Sequence, residues 1–308
     1  MLIRRGDQPG RSSQRGCVVA IGNFDGMHLG HQEIVRVLLE RGREEGLPAA
    51  VLTFEPNPRE YFAPAQPPAR LMRLRDKAEW LAAAGVAELR VLHFGARIRH
   101  WDGVTFIERV LGRALGAKRV VIGAGFRFGR GRSGDVAMLQ DKGATRGFRV
   151  DEVPPFLVGG LRASSTSVRE ALAAGRLDQA KSLLGRDYRI SGRVVPGQAL
   201  GRKLGFPTAN IRLQRRVSPV AGIFAVRVSG SALDRAPGIA SVGTRPTVGG
   251  SEWLLEVHMF DFDRNLYRQR LDVDFIARLR DEEKFDALEA MTAQMQQDAR
   301  RAREVLDA

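Results

Sequence analysis

The pattern of apolar segments changes once along this chain, and that change constrains the fold more than any other feature. In the first half, short apolar runs alternate with helical patterns; the runs lie at 17–21, 49–54, 89–94 and 118–123, and the helical patterns at 29–44, 75–84 and 104–115. Because strands that alternate with helices pair in parallel, this order predicts an open parallel sheet with helices on both faces. Two further helical patterns, at 167–174 and 178–184, each end at a glycine.

The second half has a different pattern. From Tyr188 to Phe275, short alternating strands are separated by Gly and Pro turns, with no helical pattern between them. Regular short strands of this kind predict an antiparallel barrel or sandwich. A last helical pattern carries apolar residues on a broadly shared face, namely Phe285, Leu288, Met291, Met295 and Val305. We therefore predict two domains, residues 1–186 and 187–308.

The charge balance is strongly basic. The 308 residues carry a formal net charge of +14, and the basic residues, mostly arginine, are spread along the whole chain. This charge is compatible with nucleic-acid binding or with sites for small polyanions such as ATP. Because no aromatic-interleaved basic patch accompanies it, we favour the second reading and expect neither nucleic acid nor a membrane as partner. No apolar run approaches the ~20 residues that span a bilayer.

The N-terminal segment MLIRRGDQPGRSSQRG is charged and has no apolar signal core, which predicts a frayed polar leader and no secretory signal. The single cysteine, Cys17, lies in an apolar run, so we expect a small core residue. One cysteine cannot form an internal disulfide, which fits a reducing cytoplasm.

The stretch GNFDGMHLGH, residues 22–31, follows an apolar strand and opens a helical pattern. Free backbone N–H groups at a helix N-terminus, together with the helix dipole, form an anion site. Gly22, Gly26 and Gly30 allow a phosphate chain to approach the backbone closely. His28 and His31, spaced i and i+3, are expected on one helical face, where both can donate hydrogen bonds to triphosphate oxygens.

Two other readings of the histidines remain. A zinc site would need further ligands, and His93, His100 and His258 have no ligand-like spacing. Two incidental histidines on a helix would not account for the accompanying glycines and Asp25. The phosphate-binding reading is therefore favoured.

This motif resembles that of the HxGH nucleotidyltransferase superfamily, in which a second Ser/Lys/Arg-bearing loop binds the phosphates from the other side. The stretch RASSTSVREAL, residues 162–172, offers Ser164, Ser165 and Thr166 before a helix and Arg169 in its first turn. The same residues could serve only as a Ser/Thr helix cap.

A second motif, GRVVPGQALGRKLGFPTANI at 192–211, combines a strand, a Gly-rich loop and a Pro-Thr-Ala-Asn turn. Glycines at every fourth position, with Arg202 and Lys203 among them, form a basic cradle for phosphate, although a long hairpin loop is the plainer reading. Thr208 and Asn210 supply hard oxygen ligands of the kind that magnesium prefers. In WLLEVHMFDF, Glu256 shares a mostly apolar strand face, which makes its carboxylate a candidate general base.

These stretches closely resemble the bacterial bifunctional riboflavin kinase/FAD synthetase family, from about Gly16 to Asp298. The segments GNFDGMHLGH, TFEPNPREYF, FRFG, SSTSVR, GRKLGFPTANI, GTRPT, LEVHMFDF, NLY and RDEEKF follow the family's order and spacing. The resemblance implies an N-terminal Rossmann-like HxGH nucleotidyltransferase domain and a C-terminal six-stranded antiparallel β-barrel with a terminal helix. It also implies phosphorylation of riboflavin to FMN in the second domain and adenylylation of FMN to FAD in the first.

The resemblance further implies roles for individual residues. Glu256 would take the ribityl proton, His28 and His31 would serve adenylyl transfer, and Thr208 and Asn210 would hold Mg²⁺ with ATP. The phosphates in the first domain would lie at Gly22, Phe24, Asp25, Gly26, Ser164, Thr166 and Arg169. The flavin or nucleotide pocket of that domain would include Phe126, Arg127 and Gly129. The phosphates in the second domain would lie at Gly197, Gly201, Lys203, Gly205 and Pro207.

The sequence departs from the family pattern at three positions. Gly125 stands before FRFG where the family usually has an acidic or amide residue, Asn57 replaces a usual His, and Arg268 replaces a usual Gly. Gly125 removes a polar contact from the adenylylation pocket.

Two rival functions remain at this point. One is an HxGH adenylyltransferase acting on another phosphorylated substrate, with the barrel as a regulatory module; the PTAN block and Glu256 argue against it. The other is an RNA-binding or tRNA-charging protein, suggested by the charge, but the chain lacks a lysine-bearing KMSKS loop.

Overall fold

The computed structural model describes residues 1–197, 205–231, 233–247 and 250–307. The contacts divide the chain into two units: Met1–Pro68 with Met72–Ser164, and Ala69–Leu71 with Ser165–Ala308. The helical region 165–186 thus groups with the second unit, while our boundary near residue 186 stays a prediction.

The first unit contains the predicted parallel sheet, with six strands in the order β1-β4-β3-β2-β5-β6. The strands are β1 Leu2–Arg5, β2 Cys17–Ile21, β3 Ala49–Glu55, β4 Glu88–His93, β5 Ala117–Gly123 and β6 Arg149–Val153. The helices are α1 Arg11–Arg15, α2 Leu29–Glu45, α3 Pro58–Phe62, α4 Leu74–Ala83, α5 Gly103–Phe106 and α6 Val136–Arg146, and α5 continues as a π-helix over Ile107–Leu115. A short hairpin pairs β7 Leu157–Val158 with β8 Leu161–Arg162.

Strand β2 is buried on both faces, which explains its uninterrupted apolar sequence. Val18 and Ala20 pack with side chains of α2 and α4. Cys17, Val19 and Ile21 pack on the opposite face with the 107–115 helix and α6. The strand order reverses beside β2, so the loop that follows it lies at a topological switch point, where open α/β sheets bind their ligands.

The expectation of a frayed N-terminal leader is wrong. Strand β1 pairs in parallel with β4 at the sheet edge. Behind it, the buried Arg90 guanidinium donates to the carbonyls of Gly6 and Gln8 and forms an ion pair with Glu88 at 2.8 Å. A buried arginine needs such acceptors, and the polar segment supplies them.

The expectation for Cys17 is confirmed. Its side chain is fully buried, and its thiol donates to the Leu115 carbonyl at 3.3 Å. Burial, with a smaller effect of the Glu88 charge, raises the pKa of the Cys17 thiol to about 12. The thiol therefore stays protonated at neutral pH and is a poor nucleophile.

The second unit contains a closed antiparallel barrel with strand order β10-β13-β12-β11-β14-β9. Its strands are β9 Tyr188–Val195, β10 Ala209–Arg212, β11 Gly222–Gly230, β12 Leu233–Thr247, β13 Gly250–Met259 and β14 Arg270–Arg280. Its helices are α7 Ser165–Ala173, α8 Leu177–Leu184 and α9 Leu288–Asp307. The Pro-Thr-Ala-Asn segment is thus not wholly a turn, because Ala209 and Asn210 begin β10.

Helix α9 packs on the barrel through only part of the predicted apolar face, because Val305 packs against the barrel cluster whereas other residues of that face do not. Its buried residues are Asp298, Ala302 and Leu306. Leu288 is 49% exposed, and Phe285 lies before the helix begins. Arg280 of β14 holds the Asp298 carboxylate at 2.7 Å, so a partly buried ion pair joins the helix to the barrel.

Candidate functional sites

The loop between β2 and α2 is strained and buried. Phe24 and Met27 have positive φ angles of 48° and 45°, and both side chains are fully buried. Positive φ is costly for such residues, so the surrounding structure must hold this conformation. Phe24 is buried as a whole residue, and its ring packs in the core between the sheet and its helices.

His28 is the N-cap of α2, which corrects the expectation that both histidines lie on the helix face. Its Nδ1 accepts from the backbone N–H of His31 at 3.3 Å. The two imidazole rings stack with their centroids 3.6 Å apart and an interplanar angle of 26°. A neutral His28 that accepts at Nδ1 carries its proton on Nε2, where it is a donor.

Gly30 makes this arrangement possible. A Cβ atom at this position would lie 3.0 Å from the Ala163 carbonyl oxygen and 3.3 Å from the His28 ring. The absence of a side chain at residue 30 therefore lets the histidine pair lie close to the segment that precedes Ser164.

Asp25 has a structural contact in this loop. Its Oδ1 accepts from the Met72 backbone N–H at 3.0 Å, and the residue is buried. Among the other predicted phosphate ligands, Ser164 ends the first unit, whereas Thr166 and Arg169 belong to α7 of the second. Arg169 donates through Nε to the Ala69 carbonyl at 2.6 Å. That these residues join the histidines in one site stays a prediction.

A chain of aromatic rings lies at the carboxyl ends of β3 and β4 and beyond β5. Phe126 stacks on Phe128 with centroids 5.6 Å apart, and Phe128 contacts Phe106 at 5.3 Å. The chain continues through Phe54 and Phe94 to the Phe62 ring, which is 65% exposed. Such rings suit a planar heteroaromatic ligand.

Sequence reasoning identified only the FRFG part of this cluster. The detectable signal was an aromatic residue at or just after the ends of two strands, in VLTFE and LHF. Arg127 extends from FRFG into solvent and pairs with Asp135 at 3.2 Å. Gly129 has φ +74°, and a Cβ there would lie 2.7 Å from the Gly103 backbone nitrogen, so this turn requires glycine.

In the barrel, the predicted magnesium ligand and the predicted base are neighbours. Asn210 on β10 pairs directly with Glu256 on β13. The buried Asn210 amide lies where a side chain at residue 197 would be, since a Cβ on Gly197 would come within 2.4 Å of Asn210 Nδ2. The PTAN segment is also held from β13, where His258 Nδ1 lies 2.9 Å from the Pro207 carbonyl oxygen. Gly205 has φ +84°, whereas Gly201 and Lys203 lie outside the described residues.

The Glu256 carboxylate has a partner that sequence reasoning missed. Arg245 on β12 donates through Nη2 to Glu256 Oε2 at 2.7 Å, and through Nη1 to Glu282 at 3.5 Å. Burial lowers the pKa of the Arg245 guanidinium, but hydrogen bonding to Glu256 and the charges of both glutamates raise it by more, to a net value above its ordinary range. Arg245 thus remains charged and fixes the orientation of the carboxylate.

The carboxylate of Glu282 lies against Gly243, between Ser241 and Arg245 on β12. Its Oε1 accepts from the Ser241 hydroxyl at 2.9 Å, and a Cβ on Gly243 would lie only 2.0 Å from Oε2. Glycine at 243 therefore makes room for this second carboxylate beside Glu256.

The oxygen donors near Glu256 determine which metal ion this site could hold. Within residues 1–197, 205–231, 233–247 and 250–307, no group of three or more His, Cys, Asp or Glu side chains could hold a metal ion. Thr208 and Asn210 offer a hydroxyl and an amide oxygen beside a carboxylate. This set fits Mg²⁺, which commonly takes few protein oxygens together with substrate phosphates. In the described part of the chain, no helix is long and apolar enough to cross a membrane.

The chain matches two protein families, one in each half of its sequence. The FAD synthetase family matches residues 10–167, and the riboflavin kinase family matches residues 184–306. The chain is 45% identical over 303 residues to the bifunctional riboflavin kinase/FMN adenylyltransferase of Escherichia coli, covering 98% of this chain and 97% of that one. It is 44% identical over 303 residues to the Haemophilus influenzae protein of the same name, covering 98% of each chain.

A solved structure supports the fold over the whole chain. It is a crystal structure described as a macrolide-efflux protein from Streptococcus pneumoniae, with 31% sequence identity and a TM-score of 0.82. The match covers 97% of each chain.

Proposed function

The chain belongs to the family of bifunctional riboflavin kinases/FMN adenylyltransferases, and from this premise we propose which residues carry its two reactions. The C-terminal domain phosphorylates riboflavin to FMN, and the N-terminal domain transfers AMP from ATP to FMN, forming FAD and releasing pyrophosphate. The observation that carries the residue assignment is that each family-matched region contains its own cluster of the predicted groups. These are the His28–His31 pair at the switch point and the Asn210–Glu256 pair in the barrel.

For adenylyl transfer, we place the ATP phosphates at the loop 22–27 and the N-terminus of α2. An FMN phosphate oxygen attacks the α-phosphorus, and the bond to the bridging oxygen of pyrophosphate breaks. His28 and His31 donate to phosphate oxygens as charge develops in the transition state. As the family resemblance implies, Ser164, Thr166 and Arg169 are further phosphate ligands in this proposal, and the aromatic chain from Phe126 to Phe62 holds the flavin ring.

For the kinase reaction, Glu256 accepts the proton of the ribityl hydroxyl that attacks the γ-phosphorus of ATP. Arg245 supports this role by orienting the carboxylate. The Gly-rich segment from Gly197 to Pro207 provides the phosphate cradle, and it includes Gly201, Lys203 and Gly205. Positioning and charge neutralisation supply most of the catalysis in phosphoryl transfer.

We propose Mg²⁺ as the metal of this site, held by Thr208 and Asn210. Bound Mg²⁺ would neutralise phosphate charge on ATP. Gly197 leaves room for the Asn210 amide, and His258 holds the backbone of the PTAN segment. Both residues thus help to position the proposed metal ligands.

We also propose that the adenylyltransferase spans residues 1–186 and the kinase residues 187–308, in the cytoplasm where ATP and riboflavin meet. The partners are small molecules: ATP, riboflavin and FMN. The rival reading, a regulatory barrel attached to some other adenylyltransferase, is contradicted because the riboflavin kinase family matches the barrel.

Incubating the intact protein with riboflavin, ATP and MgCl₂ should produce FMN first and FAD after it. Chromatographic separation of the flavins over time measures both steps, and supplying FMN directly isolates the second. Chelation of the metal with EDTA should stop the formation of FMN from riboflavin. If riboflavin is consumed without Mg²⁺, the assignment of Thr208 and Asn210 as metal ligands fails.

Gly197→Ala should impair the kinase selectively. The added methyl group would collide with the Asn210 amide and displace it, and disturbing a group that orients a metal ligand typically costs ~10–100-fold in metal affinity. We expect the Mg²⁺ concentration for half-maximal FMN formation to rise by that factor, while FAD formation from supplied FMN is unchanged. If the folded variant has the wild-type melting temperature and needs the same Mg²⁺ concentration, Asn210 is not a ligand of the metal.

A further inference from the structure

Lys77 is a buried charged residue that none of the roles above uses. It lies in the first turns of α4 and is only 6% exposed. Burying an ammonium group is unfavourable unless hydrogen bonds compensate for the lost water. Its Nζ donates to the Asn23 carbonyl at 2.5 Å and to Thr53 Oγ1 at 3.2 Å.

These contacts converge on one carbonyl of the phosphate loop. Thr53, at the carboxyl end of β3, donates its own hydroxyl proton to the Asn23 carbonyl at 3.2 Å. Asn23 therefore has two donors beneath it, and both lie on the core side of the loop. Hydrogen bonds also hold the two ends of the loop. The Gly22 N–H donates to the Leu52 carbonyl, and the Gln32 side chain donates to the Met27 carbonyl.

The orientation of this carbonyl determines the orientation of the next amide. In a trans peptide the C=O and the N–H point in opposite directions, and the only cis bond among the described residues is Glu55–Pro56. When the Asn23 carbonyl points to Lys77, the Phe24 N–H must point in the opposite direction. Phe24 adopts positive φ, a conformation that the surroundings must hold.

We propose that Lys77 is a positioning residue for adenylyl transfer. Its buried ammonium holds the Asn23 carbonyl and thereby fixes the loop that ends at His28, the donor that we propose for the ATP phosphates, and it adds a positive charge beside that loop. This inference rests on the proposed binding of the ATP phosphates at this loop. A preorganised donor stabilises developing charge without reorganising during the reaction, so the benefit belongs mainly to kcat.

The role can be separated from a purely structural one. In Lys77→Met, Thr53 still satisfies the Asn23 carbonyl, and methionine retains most of the apolar stem. Methionine also removes the cost of keeping a charge out of water, which offsets part of the lost hydrogen bonding. A merely structural lysine would thus be dispensable, whereas a positioning lysine would lose activity without loss of stability.

The test uses the full chain with FMN and ATP as substrates. We expect Lys77→Met to lower kcat for FAD formation ~10–100-fold, to raise KM for ATP less than ~10-fold, and to leave the melting temperature unchanged or higher. Lys77→Arg should retain more activity than Lys77→Met, because it keeps a buried cation and donor. Lys142→Met, at a more exposed lysine on α6, should match the wild type. Kinase activity in the same samples reports on the second unit.

Several results would overturn the inference. One is a wild-type kcat for FAD formation in Lys77→Met. Another is an equal loss of kcat in folded Lys77→Arg and Lys77→Met, because the shape of the side chain and not its charge would then matter. Should Lys77→Met fail to fold, Thr53→Val provides the test: it removes one contact of the tether, and we expect a ~3–10-fold lower kcat. Wild-type kcat in a folded Thr53→Val variant would then reject the tether. If replacing His28 and His31 leaves FAD formation intact, the proposed phosphate site itself fails; if only the Lys77 and Thr53 variants are active, the site stands and this inference alone is wrong.

Discussion

Replacing both His28 and His31 with alanine is expected to lower the rate of FAD formation from FMN by ~10³-fold, while riboflavin phosphorylation remains near normal. Each transition-state donor typically contributes ~10²–10³ in rate, and donors that act as a unit are not additive. The measurement is the initial rate of each reaction with FMN or riboflavin supplied separately.

A helix-cap effect must be separated from this catalytic effect. His28 caps α2 through Nδ1, and losing an N-cap costs about 1 kcal/mol of stability. His28→Asn keeps a good capping residue but removes the imidazole, so it should lose FAD formation without losing the cap. His100→Ala, at an exposed histidine of the same unit, should behave as wild type. Equal loss of both activities in the double variant would contradict independent sites.

Glu256→Gln is expected to lower kcat for FMN formation by ~10²–10⁴, with smaller changes in KM for ATP and riboflavin. Glutamine keeps the shape but cannot accept a proton at neutral pH, and general base catalysis typically contributes a factor of this size. FAD formation from supplied FMN should survive. The control is Glu252→Gln on the same strand, whose carboxylate pairs with Arg212 at 3.6 Å. If Glu256→Gln retains wild-type FMN synthesis, Glu256 is not the base.

Long, periodic segments were predictable from the sequence. The strand 17–21 and the helix that follows its glycine turn appear at the expected positions, and the patterned strands of the second half form the barrel. These segments carry their own burial pattern, since a central parallel strand is apolar throughout and a barrel strand alternates. Short elements were not predicted, because their sequences carry no burial pattern of their own. Four residues in β1 and four in β10 become strands only because β4 on one side, and β9 and β13 on the other, supply their hydrogen bonds.

The motifs indicated the chemistry of each site, but they did not indicate which distant residues contact one another. The sequence alone determined the two classes of site, because glycines, histidines and the PTAN block require particular backbone freedom and donor chemistry wherever they fold. Only the tertiary structure decided that Arg245 holds Glu256, that Gly243 leaves room for Glu282, and that aromatic rings from four segments line one edge of the sheet. The position of Lys77 could not be predicted either. The sequence LRDKAEWL is an ordinary amphipathic pattern, and the Lys77 side chain is buried beneath Asn23 because strands β2 and β3 pack against α4. Local sequence specifies what a side chain can do, but its partner is set by packing between segments far apart in the chain.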